Sequence, residues 1–181
     1  MAGPKKPAPP PEPPPPLGAI VVDGANVIAS SRFQPIERLD LVEAWCRVWR
    51  PDLPVMVFVD HATAMRCQPP AQQVLRARCV DVTPGRARYA VCPRGEPADE
   101  HVLRHAREHR GLVISNDRFW EHEQERVGTV TVQFRLQGTS FEPSGEATWF
   151  RPPNSAVRVA LAALRERRAE EPSGDPSDDS A

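Results

Sequence analysis

Three short apolar runs in this chain, "GAIVVD" (18–23), "PVMVFVD" (54–60) and "LVISND" (112–117), each stop on an aspartate. Stretches with helical periodicity separate them. "PIERLDLVEAWCRVWRP" puts Leu39, Val42, Trp45, Cys46 and Trp49 on one helix face, where both tryptophans read as packing, and Pro51 stops it. "PPAQQVLRARC" opens on prolines suited to a first helical turn, and "CVDVTP" reads as a short third strand. "PADEHVLRHAREHRG" has Pro97 near its start and Gly111 just past its end, the expected asymmetry of a helix. "RFWEHEQE" reads as a short helix, "TVTVQF" as a fifth strand, and "NSAVRVALAALRERRAEE" as a closing amphipathic helix. Apolar strands alternating with helices predict an α/β fold, a doubly wound, mostly parallel five-stranded sheet with helices on both faces.

The 181 residues suffice for one domain with a sizeable core. Residues 1–16, "MAGPKKPAPPPEPPPP", form a proline-dominated tail expected to be extended and disordered, a spacer or a docking segment for a protein partner. Residues 169–181 form a disordered acidic tail by composition, which leaves 17–168 as the folded domain. The net charge of −1 advertises no global affinity for nucleic acid, but residues 17–165 hold 19 arginines, no lysine and 17 acids. That usage suits bidentate phosphate contact and equally fits a genomic base-composition bias. Four cysteines without metal-finger spacing suit a reducing, cytoplasmic setting. No secretory signal or membrane span is read from the sequence.

In a parallel sheet, strands ending at Asp23, Asp60 and Asp117 deliver those acids to one edge, where open α/β sheets bind ligands. Asp99 and Glu100 open the helix that leads into the fourth strand, so they join that rim. Converging carboxylates repel one another unless a cation joins them. Hard oxygen donors select Mg²⁺ or Mn²⁺, ions that orient a phosphate and lower the pKa of a bound water. Each acid also has a local explanation: a turn at Asp23-Gly24, a strand end at Asp60, a helix dipole for Asp99 and Glu100, and an N-cap at Asp117.

"GRARYAVCPRG" reads as a loop that sets Arg86, Arg88 and Arg94 around Tyr89, a composition suited to single-stranded RNA or to plain solvation. His101, His105 and His109 recur on one helix face, as a solvated stripe or as part of a transition-metal site for which no further ligand stands at a natural spacing. His101, beside Glu100, could touch substrate. Phe119 and Trp120 suit either base stacking or core packing.

At "VVDGANV", "DVTPGRARYAVCPRGEPADEHVL" and "GLVISNDRFWEH", within residues 19–150, the chain resembles the NYN branch of the PIN-like nuclease superfamily, and most of all the Regnase/MCPIP-type ribonuclease domain. The resemblance implies a Mg²⁺-dependent endoribonuclease acting on single-stranded RNA and leaving a 5′-phosphate and a 3′-hydroxyl. It implies Asp23, Asp99 and Asp117 as metal-binding residues, with Glu100 completing the catalytic acids. Asn26 matches the family asparagine that fixes the first aspartate, and Ser115 and Asn116 match the residues before the last. Glu100 stands where that domain carries a second aspartate, and Asp60 is an acid it usually lacks. No CCCH zinc finger accompanies the motifs here, so RNA affinity is expected from this domain or a partner. Two rival readings are a non-cutting binding module of the same fold and a phosphatase of the haloacid dehalogenase type. The latter wants an acid two residues after the first aspartate, where Ala25 stands.

Overall fold

The computed structural model describes residues 16–29, 35–137, 140–144 and 154–170. Nearly all of the expected proline-rich tail, and residues 171–181 of the acidic one, lie outside the described residues. In chain order the elements are β1 (Ala19–Asp23), α1 (Gly24–Ala29), α2 (Pro35–Trp49), β2 (Val55–Val59), α3 (His61–Arg66) and α4 (Pro69–Val80). They continue with β3 (Arg88–Val91), α5 (Ala98–Glu108), β4 (Gly111–Ile114), a 3₁₀ turn at Trp120–His122, β5 (Val130–Gln137), β6 (Ser140–Ser144) and α6 (Asn154–Ala169).

The strands form one sheet in the order β3-β2-β1-β4-β5-β6. All neighbours run parallel except β5 and β6, which are antiparallel. From β1 the chain builds outward through β2 and β3, then returns to add β4, β5 and β6 on the other side. This is a doubly wound sheet whose switch point lies between β1 and β4.

The sheet has six strands rather than the expected five, and its third strand is not "CVDVTP". Cys79 and Val80 instead finish α4. Val80 and Val82 are 78% and 63% exposed, and Asp81 turns the chain by accepting from the Thr83 backbone N–H at 2.8 Å. The third strand lies inside the segment read as an arginine-rich loop, where Arg88 to Val91 pair with Met56 to Val59. The added β6 is an edge strand, a position that tolerates its Pro143 because only one side of it bonds to the sheet.

Strand alternation divides the core in two. Val21, Phe58 and Val113 face α5, packing with Val102, Leu103 and Ala106. Ile20, Val22, Val57, Leu112 and Ile114 face the other way, towards Leu39, Val42 and Trp45 of α2 and Val157 and Leu161 of α6. Trp45 is 1% exposed, with its ring 4.7 Å from Phe141 and 5.2 Å from Trp49, so both tryptophans are packing residues as expected. Burial pushes the Cys46 thiol pKa up, which leaves it an inert packing group. No helix among the described residues is long and apolar enough to cross a membrane.

A buried polar cluster ties α2, α4, β3 and α6 together. Arg78 donates to Asp40 at 2.6 Å and to the Tyr89 hydroxyl at 3.2 Å, and Tyr89 in turn donates to Glu43 at 3.1 Å. Arg168 closes the cluster by pairing with Asp40 and Glu43. Tyr89 is therefore an interior group, with its pKa raised chiefly by burial, and no base-stacking surface.

Candidate active site

The chain leaves β1 and enters α1 without a loop, and two local features permit this. A Cβ at Gly24 would come within 2.8 Å of the Phe58 carbonyl oxygen and of the Val57 and Val59 methyls, so only glycine fits. Asp23 Oδ1 then accepts the Asn26 backbone N–H at 2.9 Å, in the manner of a helix N-cap. Asp60 repeats the arrangement at the end of β2, capping α3 by accepting the Thr63 N–H at 2.7 Å.

From the other side of the switch point, the Ser115 hydroxyl donates to Asp23 Oδ2 at 2.7 Å and accepts the Asp117 N–H at 3.0 Å. The Asn26 side-chain oxygen accepts the Asn116 N–H at 3.2 Å, and the Asn116 side-chain oxygen accepts the Phe134 N–H at 2.7 Å. Asn26 does hold Asp23, but through its main chain; its side chain fixes the loop after β4. Ser115, at 0% exposure, and Asn116 likewise serve as fasteners of β1, β4 and β5.

Asp23, Asp60, Glu96, Asp99 and Asp117 line a single cavity of about 630 Å³, together with Arg94. Asp23 is 3% exposed, and burial raises its pKa from 3.8 to about 6; the Asn26 and Ser115 hydrogen bonds oppose the rise, and the nearby Asp99 and Asp117 charges add to it. Asp99 at the start of α5 is also shifted upward, by burial first and then by Asp117. None of the ion pairs among the described residues involves Asp23, Asp99 or Asp117. The cavity is thus an under-neutralised acidic socket.

Two oxygens on opposite sides of a directly ligated Mg²⁺ lie about 4.2 Å apart. The three aspartates sit more widely, because they do not bring one oxygen each within 4.8 Å of the others. Direct ligation of one ion by all three is not the arrangement described. Their oxygen-only donor set does suit Mg²⁺, which keeps several of its waters and takes one or two carboxylates directly.

The other sequence candidates divide. Glu100 is exposed and outside the cavity, where it serves the N-terminus of α5. Arg86 and Arg88 sit at the opposite sheet edge, since Arg88 pairs with Met56 near the start of β2. They line a separate cavity of about 500 Å³ with His105 and His109. His101 is held by Glu96 at 2.8 Å and Arg104 at 2.9 Å. Among the described residues, the one three-ligand group within direct coordinating distance is His105, Glu108 and His109 at the far end of α5. Its acid is the ligand the sequence spacing had not supplied, and its imidazoles suit transition metals rather than Mg²⁺. Glu96 was not singled out from sequence, although Gly95 with φ 90° marks the turn that carries it onto the rim.

No protein-family profile matches the chain, and no curated protein matches it. Solved structures do. A crystal structure of nuclear proteinaceous RNase P 2 from A. thaliana superposes with a TM-score of 0.52 at 16% identity, over 71% of this chain and 30% of that one. Another structure of Arabidopsis thaliana nuclear protein-only RNase P 2 gives 0.51 at 14% identity, over 72% and 30%. This chain thus matches under a third of those proteins. The likeness is one of fold: the shared part is a Rossmann-like α/β unit.

Proposed function

We propose that the chain is a divalent-metal-dependent endoribonuclease that hydrolyses phosphodiester bonds of single-stranded RNA. The observation that carries this reading is the cavity at the β1/β4 switch point, lined by Asp23, Asp99 and Asp117, none of which forms an ion pair among the described residues. The RNase P fold likeness and the Regnase-type motifs support the same reaction class. Its four free cysteines fit a cytoplasmic setting, and its proline-rich first residues suit a protein partner.

Asp23, Asp99 and Asp117 would hold Mg²⁺ or Mn²⁺, in part through water. When bound, such an ion neutralises charge at the phosphate and lowers the pKa of a coordinated water. Asp23 offers a carboxylate whose position is fixed by β1, Ser115 and Asn26. Asp99 and Asp117 accept hydrogen bonds from an attacking water and orient it towards the phosphorus. Arg94, on the same wall, neutralises a phosphate of the bound strand.

The wide spacing of the three aspartates is the observation favouring a second reading, a module of the same fold that binds RNA or protein without cutting. A labelled single-stranded RNA incubated with Mg²⁺ or Mn²⁺ separates the two. Cleavage that vanishes with chelator and with Asp117→Asn supports the nuclease. Binding without cleavage under either metal establishes the module.

A further inference from the structure

Phe119 has left-handed backbone, φ 50° and ψ 42°, a conformation uncommon outside glycine. Asp117 holds it there by accepting the Phe119 N–H at 2.8 Å. The reversal separates two adjacent aromatics. Phe119 drops into the core at 2% exposure, packed with the α5 face, while Trp120 stands 68% exposed.

The exposed indole is not an isolated surface residue. It lines a cavity of about 750 Å³ whose wall also includes Asp117, Arg118, Arg126, Thr131 and Gln133. Asp117 is common to this cavity and to the acidic one, so the two adjoin. Arg126 lies over the Trp120 ring with its guanidinium carbon 5.3 Å from the centroid, and it donates to the Arg118 carbonyl at 3.0 Å. The indole thus has an arginine over one face, and a second arginine shares the cavity wall with Glu123. Next to a site that would hold a phosphate, this is a composition that binds unpaired nucleotides.

We infer that Trp120 is a stacking platform for an unpaired nucleobase beside the scissile phosphate, with Arg118 and Arg126 contacting the flanking backbone. The inference rests on the ribonuclease reading above and names the subsite through which the strand is held. Stacking on a single indole is tolerant of base identity, so the subsite selects single strands over duplexes rather than one sequence over another.

The test uses the full chain in chelator, where no metal-dependent cleavage intervenes. Binding of a fluorescein-labelled single-stranded RNA is compared with that of an abasic ribose-phosphate oligomer of equal length, by anisotropy. Trp120→Ala should weaken binding of the base-bearing RNA about tenfold and leave the abasic oligomer unaffected, with Trp120→Phe recovering most of the loss. An unchanged affinity in Trp120→Ala, or an equal loss for both oligomers, overturns the inference. Cleavage assayed separately with Mn²⁺ keeps the two ideas apart. Base-dependent binding through Trp120 without cleavage removes the nuclease and leaves the platform. Asp117-dependent cleavage with base-independent binding does the reverse.

Discussion

The Ser115 hydroxyl donates to Asp23 Oδ2 at 2.7 Å, joining the ends of β1 and β4 across 92 residues of chain. The same oxygen accepts the Asp117 N–H, so one buried hydroxyl sets two of the three aspartates.

Ser115→Ala removes both contacts at once. The Asp23 carboxylate loses a donor that favours its charged form, so its pKa rises further, and the acidic limb of the cleavage profile should move to higher pH. The buried partners left behind should cost about 1–3 kcal/mol of stability at neutral pH. Urea unfolding and a pH–rate profile measure the two effects, and an unmoved acidic limb would count against the role given to Ser115.

Asp23 links stability to pH. Its folded pKa of about 6 lies above the ordinary 3.8, so between those values the folded protein binds a proton that the unfolded chain has released. Stability contributed by this group is therefore lost as pH rises, by roughly 3 kcal/mol across the window. Asp23→Asn should flatten that slope and be more stable than the parent at neutral pH. Excess Mg²⁺ should stabilise the parent chiefly above about pH 6, where proton and ion no longer compete. Chemical denaturation at several pH values, with and without the ion, shows whether the slope belongs to Asp23.

Arg94 and Arg88 come from the same short segment but sit at opposite sheet edges. Arg94→Ala should weaken RNA binding and reduce the slope of log affinity against log salt by about 0.7, the loss of one single-strand phosphate contact. Arg88→Ala should leave both unchanged. Salt titrations of the two variants compare them directly, and equal effects would mean that RNA contacts more than the acidic rim.

Arg78, with a side chain 6% exposed, is paired with Asp40 at 2.6 Å. Arg78→Ala leaves Asp40 paired with Arg168 but takes away its 2.6 Å partner and a donor to the Tyr89 hydroxyl, and should cost about 1–3 kcal/mol. Since this cluster lies away from the acidic cavity, the activity of the fraction that remains folded should be unaltered. Denaturation midpoints together with kcat check both parts.

The framework was legible wherever a strand is buried on both faces, because such strands read as continuous apolar runs with abrupt polar ends. "AIVVD", "VMVFV" and "GLVI" were found, with their acids on one edge. β3 was misread for the complementary reason. As an edge strand it buries Tyr89 but leaves Arg88 exposed, and its arginines looked like a solvated loop. The true loop before it, with Val80 and Val82, carries the β-branched residues that mimic a strand. α1 and α3 were missed because each is six residues long and fixed by a capping aspartate rather than by an apolar stripe. The site's acids were visible as strand and helix ends. That Phe119 and Trp120 would part company was not, since the left-handed turn depends on Asp117 reaching the Phe119 N–H.

β1 lies at the interior of the sheet, laddered to β2 on one side and β4 on the other. Displacing the backbone of Asp23 would unzip both ladders, so amide exchange along β1 should be governed by global unfolding. Asp99 rides on the start of α5, whereas Asp117 is tied at its N–H to Ser115 and at its carboxylate to the Phe119 N–H. The acidic cavity accordingly has one jaw clamped within the sheet, one riveted to it through a buried hydroxyl and one carried on a helix end, so any change in its aperture falls first to Asp99.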